Sequence, residues 1–112
     1  MSRGRKWRII SSGIRPYTLV PQGTSSDNEP IMLTLDEVEA IRLSNLEGLT
    51  QEQAAVRMNI SRKTFWTILS SARKKIAQAL TEQKPIKIEK GNAITVEEAG
   101  MNGIAPSFRW HG

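Results

Sequence analysis

Lys63, Thr67, Ser70 and Lys74 recur at intervals of three and four residues, the spacing that places side chains on one stripe of an α-helix. With Arg62 and Thr64 at the entry of the same stretch, they make a surface of long cations and hydroxyls. Such groups can bond phosphate oxygens or base edges in a DNA groove. Arg73, Lys74 and Lys75 form a cationic cluster suited to a phosphate backbone, and Ser71 flanks the stripe. Residues 61–81 hold these five cations and no acid. A second acid-free block, residues 1–16, holds Arg3, Arg5, Lys6, Arg8 and Arg15. Its SRGRKWR run is a candidate basic arm for a minor groove or a phosphate track.

Ten of the sixteen Lys and Arg residues therefore sit in two acid-free blocks, in a chain of net charge +5. Between them, residues 34–58 carry Asp36, Glu37, Glu39, Glu47 and Glu52 against Arg42 and Arg57. A polyanion-binding surface explains this segregation better than scattered solubilising charge does. Nothing comparable points to catalysis. The one histidine, His111, lies near the end of the chain, and there is no cysteine, no metal-spaced ligand cluster and no Gly-rich phosphate cradle. The neighbouring acids Asp36-Glu37 and Glu97-Glu98 are explained by helix starts or solvation. The expectation is a protein that is not an enzyme and needs no cofactor or metal.

No run approaches the roughly 20 apolar residues of a membrane span, and the basic N-terminus lacks the apolar stretch of a secretory signal. A cytoplasmic, nucleoid-associated protein with no membrane partner is expected. Apolar residues make up 38% of 112, so part of the chain is expected outside any core.

Three helix starts position the candidate residues. Thr34 with Glu37 and Thr50 with Gln53 are capping boxes, and Ser61 is a third N-cap. Each follows an apolar residue, Leu33, Leu49 or Ile60, that can pack on Val38, Ala54 or Phe65 as a hydrophobic staple. Gly48 is the expected left-handed end of the first helix, with Leu49 folding back. The second helix is expected over about 51–58, ending at a left-handed Asn59, with Ala55 small enough for a close crossing. The third, over about 62–80, has Phe65, Ile68, Leu69, Ala72, Ile76, Ala79 and Leu80 on its inner face. The first helix spreads Val38, Ala40, Ile41, Leu43 and Leu46 around its circumference, as suits packing on several sides. Trp66 flanks the outer stripe and is expected to pack on the N-terminal segment through Trp7 or Tyr17, with stacking on nucleic acid as the alternative. Thr50 and Gln51, at a helix N-terminus, can also meet a phosphate.

Elsewhere, Ile86–Glu89, Lys90-Gly91-Asn92 and Ala93–Val96 read as a β-hairpin. Residues 8–33 read as extended chain and loop, with short strands near Ile9 or Leu19. The tail from Gly100 reads as loosely ordered. The expected fold class is mainly α: a three-helix helix-turn-helix module over 34–84, preceded by a basic arm and extended segment over 1–33. A C-terminal hairpin and tail occupy 85–112.

The stretch LTLDEVEAIRLSNLEGLTQEQAAVRMNISRKTFWTILSSARKKIAQAL resembles region four of bacterial sigma factors, the helical module that reads the promoter −35 element. It is closer still to a prokaryotic family of uncharacterised proteins predicted to bind DNA. That family pairs the module with a basic segment, here RKWR, and a Tyr…Pro-x-Gly stretch, here Tyr17 to Pro21-Gln22-Gly23. The likeness covers about residues 3–91, is most specific over SRKTFWTILSSARKK, and implies a reading helix that begins near Ser61. Such proteins often carry a cysteine near the basic segment; this chain has none, so any metal or redox sensing implied for the family loses support. Residues 92–112 resemble nothing placed.

The expected function is sequence-specific binding of double-stranded DNA, as a transcriptional regulator, with helix 62–80 in the major groove. A homodimer is expected because one short reading helix covers few base pairs. The alternative is a protein-interaction module that docks on RNA polymerase or another regulator. RNA is a weaker third target, since stacking surfaces for single strands are not evident.

Overall fold

A computed structural model describes residues 8–23 and 29–95. Three helices and five short strands build it: β1 (Arg8–Ile10), β2 (Tyr17–Leu19), β3 (Ile31–Thr34), α1 (Leu35–Ile41), α2 (Gln51–Met58), α3 (Arg62–Glu82), β4 (Ile86–Glu89) and β5 (Ala93–Thr95). The strands form two sheets. One has the order β2-β4-β3, and β1 pairs with β5 in the other. The mainly α, three-helix expectation is therefore corrected to a mixed α/β fold.

The hairpin is corrected with it. β4 lies parallel to β3 (Ile31 opposite Ile86) and antiparallel to β2 (Tyr17 opposite Ile88). β5 instead lies parallel to β1, with Arg8 opposite Ala93. Lys90-Gly91-Asn92 does turn the chain, but between sheets. Gly91 has φ +61, and a Cβ there would stand 2.7 Å from Thr34 Cβ, so the turn passes too close to the start of α1 for a side chain. Strands of three or four residues show little alternation, and each pairs with a segment far away in sequence. The short strands expected near Ile9 and Leu19 are present as β1 and β2.

The helix starts form as their chemistry dictates. The Thr34 N–H donates to Glu37 Oε1 at 2.9 Å, and Thr50 and Gln53 exchange bonds of 3.0 and 3.1 Å. Ser61 Oγ accepts the Thr64 N–H at 3.0 Å. Gly48 (φ +73) and Asn59 (φ 60, ψ 42) take the left-handed conformation expected of them. Asn59, Ile60 and Ser61 alone join α2 to α3. Past Ile41, the first helix widens into a π turn over Arg42–Leu46, closed by the Glu47 N–H on the Arg42 carbonyl at 2.9 Å. The wide turn breaks the 3.6-residue phase, and Leu46, expected inside, is 79% exposed.

Helix α3 runs for 21 residues, about 32 Å at 1.5 Å per residue, and crosses two cores. Phe65, Ile68 and Leu69 pack with Ala40, Leu43, Ala54, Ala55 and Met58, and Leu49 and Ile60 close the same cluster. One end further, Ala79 and Ile76 pack with Ile10, Leu33, Ile86 and Ile88 from the strands and with Leu35 at the start of α1. Leu80, expected inside, points outward at the helix end beside Leu19 and Val20. No helix among the described residues is long and apolar enough to cross a membrane.

Candidate nucleic-acid interface

With Phe65, Ile68, Leu69 and Ala72 fixed in the core, the opposite side of α3 must face outward at 100° per residue. Lys63, Thr67 and Lys74 are exposed there, with Arg73 exposed on the flank and Arg62 exposed at the helix entry. Arg62, Lys63 and Lys74 make no ion pair among the described residues. The Thr67 hydroxyl donates to the Lys63 carbonyl at 3.1 Å, which leaves its lone pairs free to accept. Thr64 is held by Ser61, whose hydroxyl donates to the Thr64 hydroxyl at 2.9 Å. Ser70 behaves differently from expectation: its Oγ is shielded from solvent and has no partner among the described residues.

Four more expected contact residues are engaged within the fold. Arg73 donates to Ser44 Oγ at 3.2 Å and Asn45 Oδ1 at 3.2 Å, both on the π turn. The Ser71 hydroxyl donates to Glu37 Oε2 at 2.7 Å, and Lys75 Nζ lies 3.0 Å from the same oxygen. Arg8 Nε sits 3.4 Å from Asp36 Oδ2 in an ion pair without hydrogen-bond geometry. Arg3, Arg5 and Lys6, with Trp7, His111 and the tail from Val96, lie outside the described residues.

Asp36 and Glu37, read from sequence as helix-start or solvated charge, are buried, and so is Glu39. Glu39 is 1% exposed and accepts bonds from Ser11, Ser12 and Arg42. Burial by itself would raise both carboxyls. For Glu39 the Arg42 guanidinium with Ser11 and Ser12 outweighs burial and holds it below the ordinary carboxylate range. For Glu37 the Ser71 hydroxyl, the Thr34 N–H and Lys75 do the same. Three buried acids on one short helix thus anchor β1 on one side and α3 on the other.

The N-terminus of α2 meets the first turn of α3 in an open cleft of about 640 Å³, lined by Gln51, Arg62, Lys63 and Trp66. A smaller neighbour of about 240 Å³ is lined by Thr50, Gln51, Glu52 and Arg62. Thr50 and Gln51, proposed from sequence near a phosphate, are therefore brought beside Arg62. Trp66 stays 47% exposed in this cleft, and Tyr17, one of its expected partners, pairs with Ile88 in the three-stranded sheet. Among the described residues, no group of three His, Cys, Asp or Glu side chains could hold a metal ion.

A family model described as "Protein of unknown function DUF134" matches residues 1–96. The chain belongs to that family. A UPF0251 protein of Caldanaerobacter subterraneus subsp. tengcongensis is 47% identical over 114 residues, which cover 99% of this chain and 97% of that protein. A UPF0251 protein of Methanosarcina acetivorans is 49% identical over 83 residues, 73% of this chain and 74% of that one. No solved structure matches the chain. The family match takes in every described residue, the two sheets included, and so extends beyond the helices.

Sequence reasoning missed the acids of α1 as internal anchors. A signal existed for them: Ser71 and Lys75 flank the outer stripe on one side, toward the inner face, where a carboxylate can reach them.

Proposed function

We propose that this protein binds double-stranded DNA with sequence specificity, as a transcriptional regulator, and lays the outer face of α3 in the major groove. The α2–Asn59–α3 unit is a helix-turn-helix in this reading, similar to sigma factor region four, and α3 is its reading helix. One observation carries the proposal. Lys63 and Lys74 stand exposed and without ion pairs along one side of a rigid helix, with Arg62 likewise at its entry, whereas Arg8, Arg42 and Lys75 are paired with acids. Cations left unpaired on an acid-free face suit an anionic partner. Gln51 and Thr50, beside Arg62, are suited to a backbone phosphate that fixes the register of the helix. A nucleoid-associated place in the cytoplasm follows from this reading.

Two copies on one site complete the proposal, because a single reading helix spans few base pairs. β2 is an edge strand, and Leu19 and Val20 lie exposed beside Leu80 at the far end of α3. That surface is the one we assign to pairing. A second reading, docking on RNA polymerase or another regulator, draws support from Leu46 and Val56, which are 79% and 72% exposed.

Fluorescence anisotropy with random duplex DNA across a salt series tests the proposal. Binding should weaken with salt, with a log–log slope of about −0.9 for each phosphate engaged. Absence of binding at micromolar protein and low salt would favour the docking reading. Selection from a random duplex library should then return a consensus, palindromic if two copies bind.

A further inference from the structure

We infer that Trp66 reads the C5-methyl group of a thymine in the major groove, and so sets one position of the DNA sequence this protein prefers. The inference rests on the proposed DNA binding and adds a specificity residue to it. Tryptophan carries the largest apolar surface of any side chain and is costly to leave in water. Here nearly half of it is left there, at 47% exposure, one turn into α3 and away from the helical core. Two cations, Arg62 and Lys63, share the cleft with the neutral Gln51, and an acid, Glu52, lines the adjoining cleft instead. A partner that covers the indole must therefore bring negative charge to the two cations and an apolar group to the ring.

Duplex DNA meets both demands. Its phosphates pair with Arg62 and Lys63, and its base faces are stacked out of reach. In the major groove the base edges display donors and acceptors, with one apolar feature among them, the thymine methyl. An indole beside the reading stripe can cover that methyl while Lys63 and Thr67 address neighbouring edges. A single-stranded nucleic acid would instead offer a base face for stacking.

The test replaces thymine by deoxyuridine, one position at a time, in the duplex selected by the protein, so that only a methyl group is lost. For the wild-type protein, one thymine per half-site should cost about fourfold in affinity, the scale of burying one such carbon. For Trp66→Ala, checked for native circular dichroism, the same replacement should cost nothing. Trp66→Phe, which keeps a smaller ring, should retain part of the discrimination and guards against a misfolded alanine variant. Equal losses in all three proteins, or no sensitive thymine for the wild type, would overturn the inference while leaving duplex binding intact. A single-stranded oligonucleotide bound more tightly than the duplex, and dependent on Trp66, would overturn it in favour of stacking. Loss of all duplex binding by the wild type would remove the proposed function and this inference together.

Discussion

Two charged regions meet on α3, and they use the same residue types for opposite ends. Along the seam with α1 and β1, Glu37, Glu39 and Asp36 are buried, and each has a cation beside it: Lys75, Arg42 and Arg8. On the outer face and at the helix entry, Lys63, Lys74 and Arg62 are exposed and have no acid within ion-pair reach among the described residues. Charge on the seam is internal glue that helps hold two sheets and three helices in one arrangement. The charge of Arg62, Lys63 and Lys74 makes no ion pair within the fold, and in the proposed function it meets the DNA. A count of basic residues cannot separate the two sets; the location of the acids can.

The sharpest way to break this contrast is Glu39→Ala. Glu39 gathers the Ser11 N–H at 3.0 Å, the Ser12 hydroxyl at 3.0 Å and the Arg42 guanidinium at 2.9 Å in a nearly dry site. Its removal leaves the Arg42 guanidinium with Glu47, 2.9 Å away, and takes the acceptor from the Ser11 N–H at the end of β1. The expected cost is about 1.5 to 3 kcal/mol of stability, read by urea denaturation, with unchanged duplex affinity for the protein that remains folded. A change below about 1 kcal/mol, typical of surface sites, would mean that the seam is not what holds β1 on α1.

Acid titration should show the same seam at a smaller scale. Glu37 and Glu39 both have folded pKa values lowered from 4.5. Their contribution is complete above the unfolded value. It declines as pH falls below 4.5 through the lower folded values, because the unfolded chain takes up protons first. Each group can remove at most about 1.4 kcal/mol per pH unit. Melting curves between pH 7 and pH 3 should therefore be flat at first and then fall, less steeply in Glu39→Ala than in the wild type. An equally steep fall in both would assign the acid sensitivity to other carboxylates.

How much of this was legible in the sequence follows the range of the interactions. Caps, turns and the inner face of α3 depend on residues within a few positions of each other. Thr50, Asn59, Ser61 and Phe65 stand where the pattern put them. The sheets depend on pairings such as Arg8 with Ala93 and Ile31 with Ile86, across more than fifty residues, with only three or four residues per strand to announce them. The hairpin reading failed for the same reason, since β4 and β5 each found a distant partner instead of each other. The candidate interface was legible where helical phase alone decides exposure, at Lys63, Thr67 and Lys74. It was not legible at Ser71, Arg73 and Lys75, whose partners Glu37, Ser44 and Asn45 come from another helix.

Lys74 and Lys75 give the finest version of the contrast, because they are adjacent in sequence and 100° apart on the helix. Sequence alone assigns both to phosphate. In the fold, Lys75 reaches Glu37 at 3.0 Å and is half-buried, while Lys74 is exposed on the outer stripe. Lys75→Ala should therefore cost stability, about 1 kcal/mol once solvent screening of its exposed part is allowed for, and should leave the salt slope of DNA binding where it was. Lys74→Ala should leave stability within about 0.5 kcal/mol and reduce the slope by about 0.9 if it holds one phosphate. Anisotropy across a salt series and urea denaturation, run on both variants, read the two effects separately. If the variants exchanged outcomes, pairing with a buried acid would not be what divides structural cations from binding ones on this helix.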